Sequence, residues 1–317
     1  MPEEQKKAPE MNEEQKDLAN FEGEINKAKD ASSAEKIVKE KLDGGKANVV
    51  AKSFDKVAGK VKDKERLKTL VNSIEEKWCL KEMAGTLKNV KNAEVVKHVI
   101  EKVSKSSDRN CVEQFANNMD SWTMNRLEPN TAKAFINKIE EGWFLNSMAN
   151  CIRNIANVEV VKHAFEKVNK TSDRNCVEQF SRNVDGNTLN KLEPNNAKWF
   201  INKVEEAWSL KNMATKINSV KDKEVVSYTV KKVTEKWDQY CLKEFSKNLG
   251  PNVINSMNTK DIHAFARKSL MKWGAECASA MEWNKTLMNK LDAWTKSLIT
   301  EYANQADNNL SKQLDNI

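Results

Sequence analysis

A tryptophan recurs in this chain at a constant interval of 65 residues. It stands at Trp78, Trp143, Trp208 and Trp273. Two further residue types keep the same interval, at Cys111, Cys176 and Cys241 and at Phe115, Phe180 and Phe245. A module repeated without insertions is typical of repeat proteins, in which each module packs on the next. The interval therefore predicts a stack of four similar modules.

The repeat leaves two short ends outside the modules. The modules are 27–91, 92–156, 157–221 and 222–286. The two central modules share one unbroken segment, at 107–115 and again at 172–180, whereas the outer modules match less well, as expected of terminal repeats. Residues 1–26 are predicted to be an acidic, disordered tail that can be removed without loss of the fold, and 287–317 a C-terminal capping helix.

Apolar residues within each module follow the three-to-four-residue period of amphipathic helices. In the second module, four such stripes begin at Val95, Val112, Phe135 and Leu145. Pro129 stops one helix and starts the next, because proline is tolerated only in the first turn. No segment has the pattern of a strand, so the chain is predicted to be all-α.

Each module also contains a weaker internal repeat, which divides it into two helical hairpins of about 36 and 29 residues. In this size and pattern, residues 27–286 resemble the HEAT-like and Pumilio-like α-solenoids, at the level of architecture. The resemblance implies a curved superhelix that holds a ligand along one face.

The charge is concentrated in the modules. The whole chain carries +7, while residues 1–26 have eight carboxylates against three lysines and residues 287–317 have four against three. The modules therefore carry +13. The acidic end could screen this basic array or compete with an anionic ligand for it, but its composition favours a solvated extension.

Residues able to carry chemistry show no catalytic pattern. The repeated cysteines lie on apolar stripes and are predicted to be buried hydrophobes rather than disulfide or metal ligands. His98 and His163 are equivalent copies, and neither a catalytic triad, a phosphate-binding loop nor a zinc motif is present. We expect no enzyme activity, no cofactor and no metal.

The second helix of each module offers a candidate binding face. It loosely resembles the base-reading helix of Pumilio repeats, in which neighbouring polar side chains contact one base. By this resemblance the ligand-facing residues are Arg109, Asn110 and Glu113, then Arg174, Asn175 and Glu178, then Gln239, Tyr240 and Lys243. Recurrent lysines such as Lys102, Lys167 and Lys232 could follow a phosphate backbone, although glutamates alternate with them.

Tryptophans have two predicted roles. The four repeated ones continue an apolar stripe and are assigned to the core. The others are better candidates for surface contact, although burial is favoured for each, and they are Trp122, Trp199, Trp237, Trp283 and Trp294.

These patterns together predict a non-catalytic scaffold that holds a protein or peptide, which the +13 charge allows to be acidic. The alternative is an RNA- or DNA-binding solenoid that uses the second-helix residues and the lysine rows. A third hypothesis is a helical-repeat enzyme acting on nucleic acid. Without a membrane-spanning apolar run or a signal peptide, an intracellular, soluble, cytoplasmic protein is the default expectation.

Overall fold

The computed structural model describes residues 11–75, 77–106, 108–140, 142–171, 173–236 and 239–314. Every regular element in these ranges is a helix, so the chain is all-α, as predicted. It divides into two compact units, Met1–Phe144 and Leu145–Ile317. The curved superhelix remains a prediction.

Unit 1 contains ten helices within its described residues. They are α1 (Glu13–Lys27), α2 (Ala31–Asp43), α3 (Ala47–Lys52), α4 (Phe54–Val61), α5 (Lys64–Asn72), α6 (Lys77–Leu87), α7 (Ala93–Ser104), α8 (Arg109–Asn118), α9 (Ser121–Asn125) and α10 (Pro129–Lys138). The next helix, α11 (Gly142–Ile152), contains the boundary between the units.

Unit 2 continues the pattern to the end of the described chain. Its helices are α12 (Val158–Lys170), α13 (Arg174–Asn183), α14 (Gly186–Leu189), α15 (Pro194–Lys203), α16 (Ala207–Lys216), α17 (Lys223–Lys236), α18 (Gln239–Asn248), α19 (Pro251–Ser256), α20 (Thr259–Glu282), α21 (Lys285–Lys290) and α22 (Ala293–Leu314). A short 3₁₀ segment, Ile217–Ser219, follows α16.

The helices form two layers in each unit, because corresponding helices of successive hairpins pack on each other. In unit 1, α5, α7 and α10 make one layer, and α3, α6 and α8 make the other. In unit 2, α12, α15 and α17 make one layer, and α13, α16 and α18 make the other. Both layers continue into α20, whose single long helix contacts α17 and α18.

Helix starts follow the polar residues and prolines of the sequence. Asp108 accepts a hydrogen bond from the backbone N–H of Cys111 at 3.2 Å and so caps α8, and Asp173 does the same for α13. Pro129 opens α10 as predicted, and Pro194 opens α15. Each cap satisfies an N–H that has no partner inside its helix.

The core consists of the predicted apolar stripes. Phe115 and Phe135 meet edge to face in unit 1, with ring centroids 5.7 Å apart. In unit 2, Phe165 lies 5.2 Å from Phe180 and 4.9 Å from Phe200, also edge to face. All five rings are fully buried. Each such ring stabilises the fold by about 1.5–3 kcal/mol through burial alone.

The N-terminal end differs from the prediction. Residues 1–26 are expected to be disordered, but α1 begins at Glu13 and buries Phe21 and Ile25 completely. Carboxylates of α1 also pair with lysines of the next hairpin, as in the 2.8 Å contact between Asp17 and Lys46. The acidic composition of this segment concealed two apolar residues four positions apart, which is the spacing of one helix face.

The cysteines and the repeated tryptophans are the other residues that the sequence assigns to the core. All six cysteines are buried, and burial raises the pKa of Cys176 to about 12, which keeps this thiol protonated. The prediction that the four repeated tryptophans belong to the core concerns side chains outside the described part of the structure, at Trp78, Trp143, Trp208 and Trp273.

Candidate binding surface

The predicted binding face is only partly exposed. Arg109 and Asn110 form the first turn of α8 and are exposed, and Arg174 and Asn175 do the same in α13. Both arginines approach a carboxylate: Arg109 Nη1 lies 3.6 Å from Glu140 Oε2, and Arg174 Nη1 lies 3.6 Å from Glu205 Oε2. A ligand would meet guanidinium groups whose charge is already partly balanced.

The glutamates of the same face point inward, contrary to the prediction that they meet a ligand. Glu113 and Glu178 are each 1% exposed. Glu113 accepts a hydrogen bond from the backbone N–H of Glu140 at 2.9 Å, and Glu178 accepts two, from Glu205 at 2.6 Å and Glu206 at 2.9 Å. These N–H groups precede α11 and α16, so the buried carboxylates anchor helix starts.

The third set of predicted ligand-facing residues, on α18, does not repeat the arrangement on α8 and α13. The side chains of Gln239 and Tyr240 lie outside the described part of the structure, and Lys243 is half-buried. Lys243 occupies the position equivalent to Glu113 and Glu178. The nine predicted residues therefore do not form one continuous ligand-facing row among the described side chains.

Lysines of the predicted phosphate rows bind backbone carbonyls instead. Lys102 Nζ donates to the carbonyl oxygens of Val71, Asn72 and Ile74, at 2.6, 2.9 and 2.8 Å, where α5 ends. Lys232 likewise reaches the end of α15, at Ile201 O, 2.8 Å away. A cation here satisfies carbonyls that have no partner in their helix and meets the negative end of the helix dipole.

The same contact recurs at other helix ends in both units. Further side chains that donate to carbonyls of the preceding hairpin are Lys60, Arg126, Lys191, Lys203, Lys216, Lys268 and Lys290. Burial lowers the pKa of Lys102, and it lowers the pKa of Lys216 to about 8. These positive charges stabilise the fold and are half-buried, so they are poorly placed to neutralise phosphates.

A groove runs across the first hairpins of unit 1. It consists of two cavities of about 350 Å³ and about 600 Å³, which share Glu75 as a lining residue. The smaller cavity is lined by Asn72, Ile74, Glu75, Leu80, His98, Glu101, Lys102, Lys105 and Ser106. The larger is lined by Glu35, Lys39, Leu42, Asp43, Gly45, Ala47, Thr69, Leu70, Ser73 and Glu75. We call these two cavities the unit 1 groove.

The unit 1 groove has uncommitted acidic groups over an apolar base. Within the described residues, Asp43, Glu75 and Glu101 make no hydrogen bond or ion pair through their carboxylates. His98 Nε2 lies 2.8 Å from Asn72 Oδ1, and burial, followed by the charge of nearby Lys68, lowers the His98 pKa. The imidazole is therefore neutral at pH 7.

Several tryptophans are exposed, although burial was expected for each. The exposed fraction is 51% for Trp122, 45% for Trp199, 86% for Trp283 and 60% for Trp294. A cation lies over three of these rings, closest at Trp122, where Arg126 Cζ is 4.4 Å from the ring centroid. Trp237 lies outside the described residues.

Among the described residues, no group of three or more His, Cys, Asp or Glu side chains is placed to hold a metal ion, and no helix combines the length and apolarity needed to cross a bilayer.

Comparison with known proteins gives no family for the chain. No protein-family model and no curated protein sequence matches it. One solved structure that matches is described as "Computational Design of Self-Assembling Cyclic Protein Homooligomers". The match has 14% sequence identity and covers 96% of this chain and 94% of that one, with a TM-score of 0.14. A TM-score this low carries no argument about fold or function.

Proposed function

We propose that the protein is a non-catalytic scaffold of stacked, HEAT-like helical hairpins that holds an extended segment of a protein or peptide in the unit 1 groove. The observation that carries the proposal is Glu75, which lines both cavities, is exposed, and makes no hydrogen bond or ion pair within the described residues, although its charge acts on Lys102 nearby. An acidic group left uncommitted at the centre of a concave surface is available to a ligand.

The lining of the groove fits a peptide that carries both apolar and basic side chains. Leu42 and Leu70 are half-buried beside the larger cavity, while Ile74 and Leu80 are buried beside the smaller one. Apolar side chains of a partner gain from covering the exposed parts of Leu42 and Leu70. A lysine or arginine of the partner would meet Glu75, because opposite charges fix the register of a bound segment.

The exposed residues of the predicted binding face in unit 1 lie next to the unit 1 groove. Ser106 lines the smaller cavity, and α8 begins three residues later with Arg109 and Asn110. These two side chains extend the proposed contact surface at one end of the unit 1 groove. The same positions in unit 2, Arg174 and Asn175, are retained as candidate contacts of a second segment.

Nucleic-acid binding is the weaker alternative because its proposed phosphate contacts have other roles. Lys102 and Lys232 are held by helix-end carbonyls, and Lys198 pairs with Glu224 at 2.8 Å. A protein that binds nucleic acid gains most of its affinity from lysines and arginines that are free to neutralise phosphates.

A peptide-display experiment tests the proposal. A random dodecamer library is selected on the full chain, and the enriched peptides are measured against wild type, Glu75→Lys and Glu128→Lys. Glu128 is the control because it is an exposed glutamate of unit 1 outside the groove. We expect Glu75→Lys to weaken the enriched peptides by about tenfold, equivalent to about 1.4 kcal/mol, and Glu128→Lys to leave them unchanged. Equal binding to all three proteins would refute the groove as the binding site.

A further inference from the structure

A third cavity of unit 1 lies at the turns between hairpins and shares no lining residue with the unit 1 groove. Its volume is about 530 Å³, and Leu67 and Val90 form its apolar base with Ala58 beside them. Gly59 lies at the opening, where an added Cβ would meet nothing within 4 Å. We call this the rim cavity.

The rim cavity is bordered by two uncommitted lysines. Lys62 and Lys91 line it and are exposed, and within the described part of the chain their ammonium groups make no ion pair or hydrogen bond. Nearby carboxylates are already engaged: Asp55 accepts from Asn89 at 2.9 Å, and Asp63 caps α5 by accepting from the N–H of Arg66 at 2.8 Å. These donors are neutral, so both carboxylates stay charged, but neither lines the cavity. Lys62 and Lys91 are the charged groups of its lining and are free to form ion pairs with a ligand.

An aromatic platform adjoins this positive charge. Arg126 donates to the carbonyl oxygens of Val90 and Lys91, which are residues of the cavity wall. The Arg126 guanidinium also covers one face of Trp122, which is 51% exposed. Because Arg126 is fixed from both sides, it holds the indole beside the rim cavity with its remaining surface open to a partner.

The backbone at Lys62 has an unusual conformation. Its φ is +57°, whereas glycine is the residue normally found at positive φ after a helix. Lys62 ends α4 as the central residue of a γ-turn, with ψ −36° and the N–H of Asp63 donating to Val61 O at 2.6 Å, a conformation that is strained for a residue with a side chain. Such outliers concentrate at binding and catalytic sites, and here the side chain that is kept is one of the two cationic groups of the cavity.

From these observations we propose that the rim cavity binds an acidic peptide segment that carries an aromatic residue. Carboxylates of the segment contact Lys62 and Lys91, and its aromatic ring stacks on Trp122. A peptide fits better than a single-stranded nucleic acid, because two lysines and one aromatic ring at a single cavity do not make the repeated stacking and phosphate contacts that such a strand requires.

Fluorescence anisotropy with the full chain tests this assignment. The probe is a labelled octapeptide of the sequence Glu-Asp-Glu-Phe-Pro-Glu-Asp-Glu, and the comparison probes are the same peptide with lysine at every acidic position and a single-stranded oligothymidine. We expect saturable binding of the acidic peptide alone. Absence of saturation up to about 1 mM, or tighter binding of the oligothymidine, would overturn the proposal.

Single substitutions distinguish a loss of peptide affinity from a loss of stability. Lys62→Gly relieves backbone strain, so its unfolding midpoint should equal or exceed that of wild type while the acidic peptide binds about fivefold more weakly. Trp122→Ala should weaken binding, Trp122→Phe should restore most of it, and Trp283→Ala, a control at another exposed tryptophan, should have no effect. Unchanged affinity in both Lys62→Gly and Trp122→Ala would contradict the site.

Discussion

Two buried glutamates fix where the next helices begin. Glu113 and Glu178 stand at equivalent positions, and each accepts hydrogen bonds from N–H groups that precede the second helix of the next hairpin. A carboxylate is favoured here because it meets the positive end of a helix dipole while satisfying buried donors. The copied sequence around these glutamates therefore preserves a structural contact as well as an exposed surface.

Removal of Glu178 should destabilise the fold markedly. Glu178→Ala removes the acceptor of the backbone N–H groups of Glu205 and Glu206, and each hydrogen bond to a charged group contributes about 1.5–3 kcal/mol. The control is Glu205→Ala, which removes only a surface contact with Arg174 and should cost at most about 1 kcal/mol. Urea unfolding of both variants gives the comparison, and similar losses in the two would show that Glu178 does not anchor α16.

Helix continuity differs between the modules opposite this same position, although a glutamate is not required for a break: the first module has Asn48 here and also breaks, between α5 and α6. Where Glu113 and Glu178 stand, the chain breaks between α10 and α11 and between α15 and α16. Where Lys243 replaces them, the corresponding segment is the uninterrupted helix α20 (Thr259–Glu282). An ammonium group cannot accept from the N–H groups that a break exposes, so the helix keeps its own hydrogen bonds there.

At the N-terminal end, α1 is an integral element whose loss should destabilise unit 1. Phe21 and Ile25 are fully buried, and deletion of 1–26 removes both. Phe21→Ala alone should lower the free energy of unfolding by about 3–5 kcal/mol. Chemical denaturation followed by circular dichroism measures this, with deletion of residues 1–10 as the control because α1 begins at Glu13. Wild-type stability after deletion of 1–26 would restore the original expectation of a dispensable tail.

For the whole molecule, the sequence predicts the elements better than the contacts between them. The apolar period is local, so the helical class, the start at Pro129 and the burial of Phe115 and Phe180 follow from residues within one or two turns. The acceptors of Lys102 lie about 30 residues before it, and the donor to Glu113 lies 27 residues after it. A lysine or glutamate has the same pattern whether it faces water or caps a distant helix, so these roles require the fold.

The +13 charge of the modules is not all available to a ligand. Much of it belongs to lysines and arginines that close helix ends or pair with glutamates, such as Lys102, Lys232 and Lys162. The rim cavity, by contrast, keeps Lys62 and Lys91 uncommitted. Part of the net charge therefore reflects how the hairpins are joined, and the lysines that close helix ends are not available to a partner.

We propose that the protein is a polypeptide-binding scaffold in which lysines of the basic rows serve the fold. Nucleic-acid binding across a salt series distinguishes this function from the nucleic-acid-binding alternative. Labelled single-stranded and duplex oligonucleotides are titrated with the full chain from about 50 to 200 mM salt, the range over which six to ten phosphate contacts would change the affinity by about 10³–10⁵. We predict no binding tighter than about 10⁻⁴ M and a shallow salt slope. Micromolar affinity with a steep slope would contradict the account.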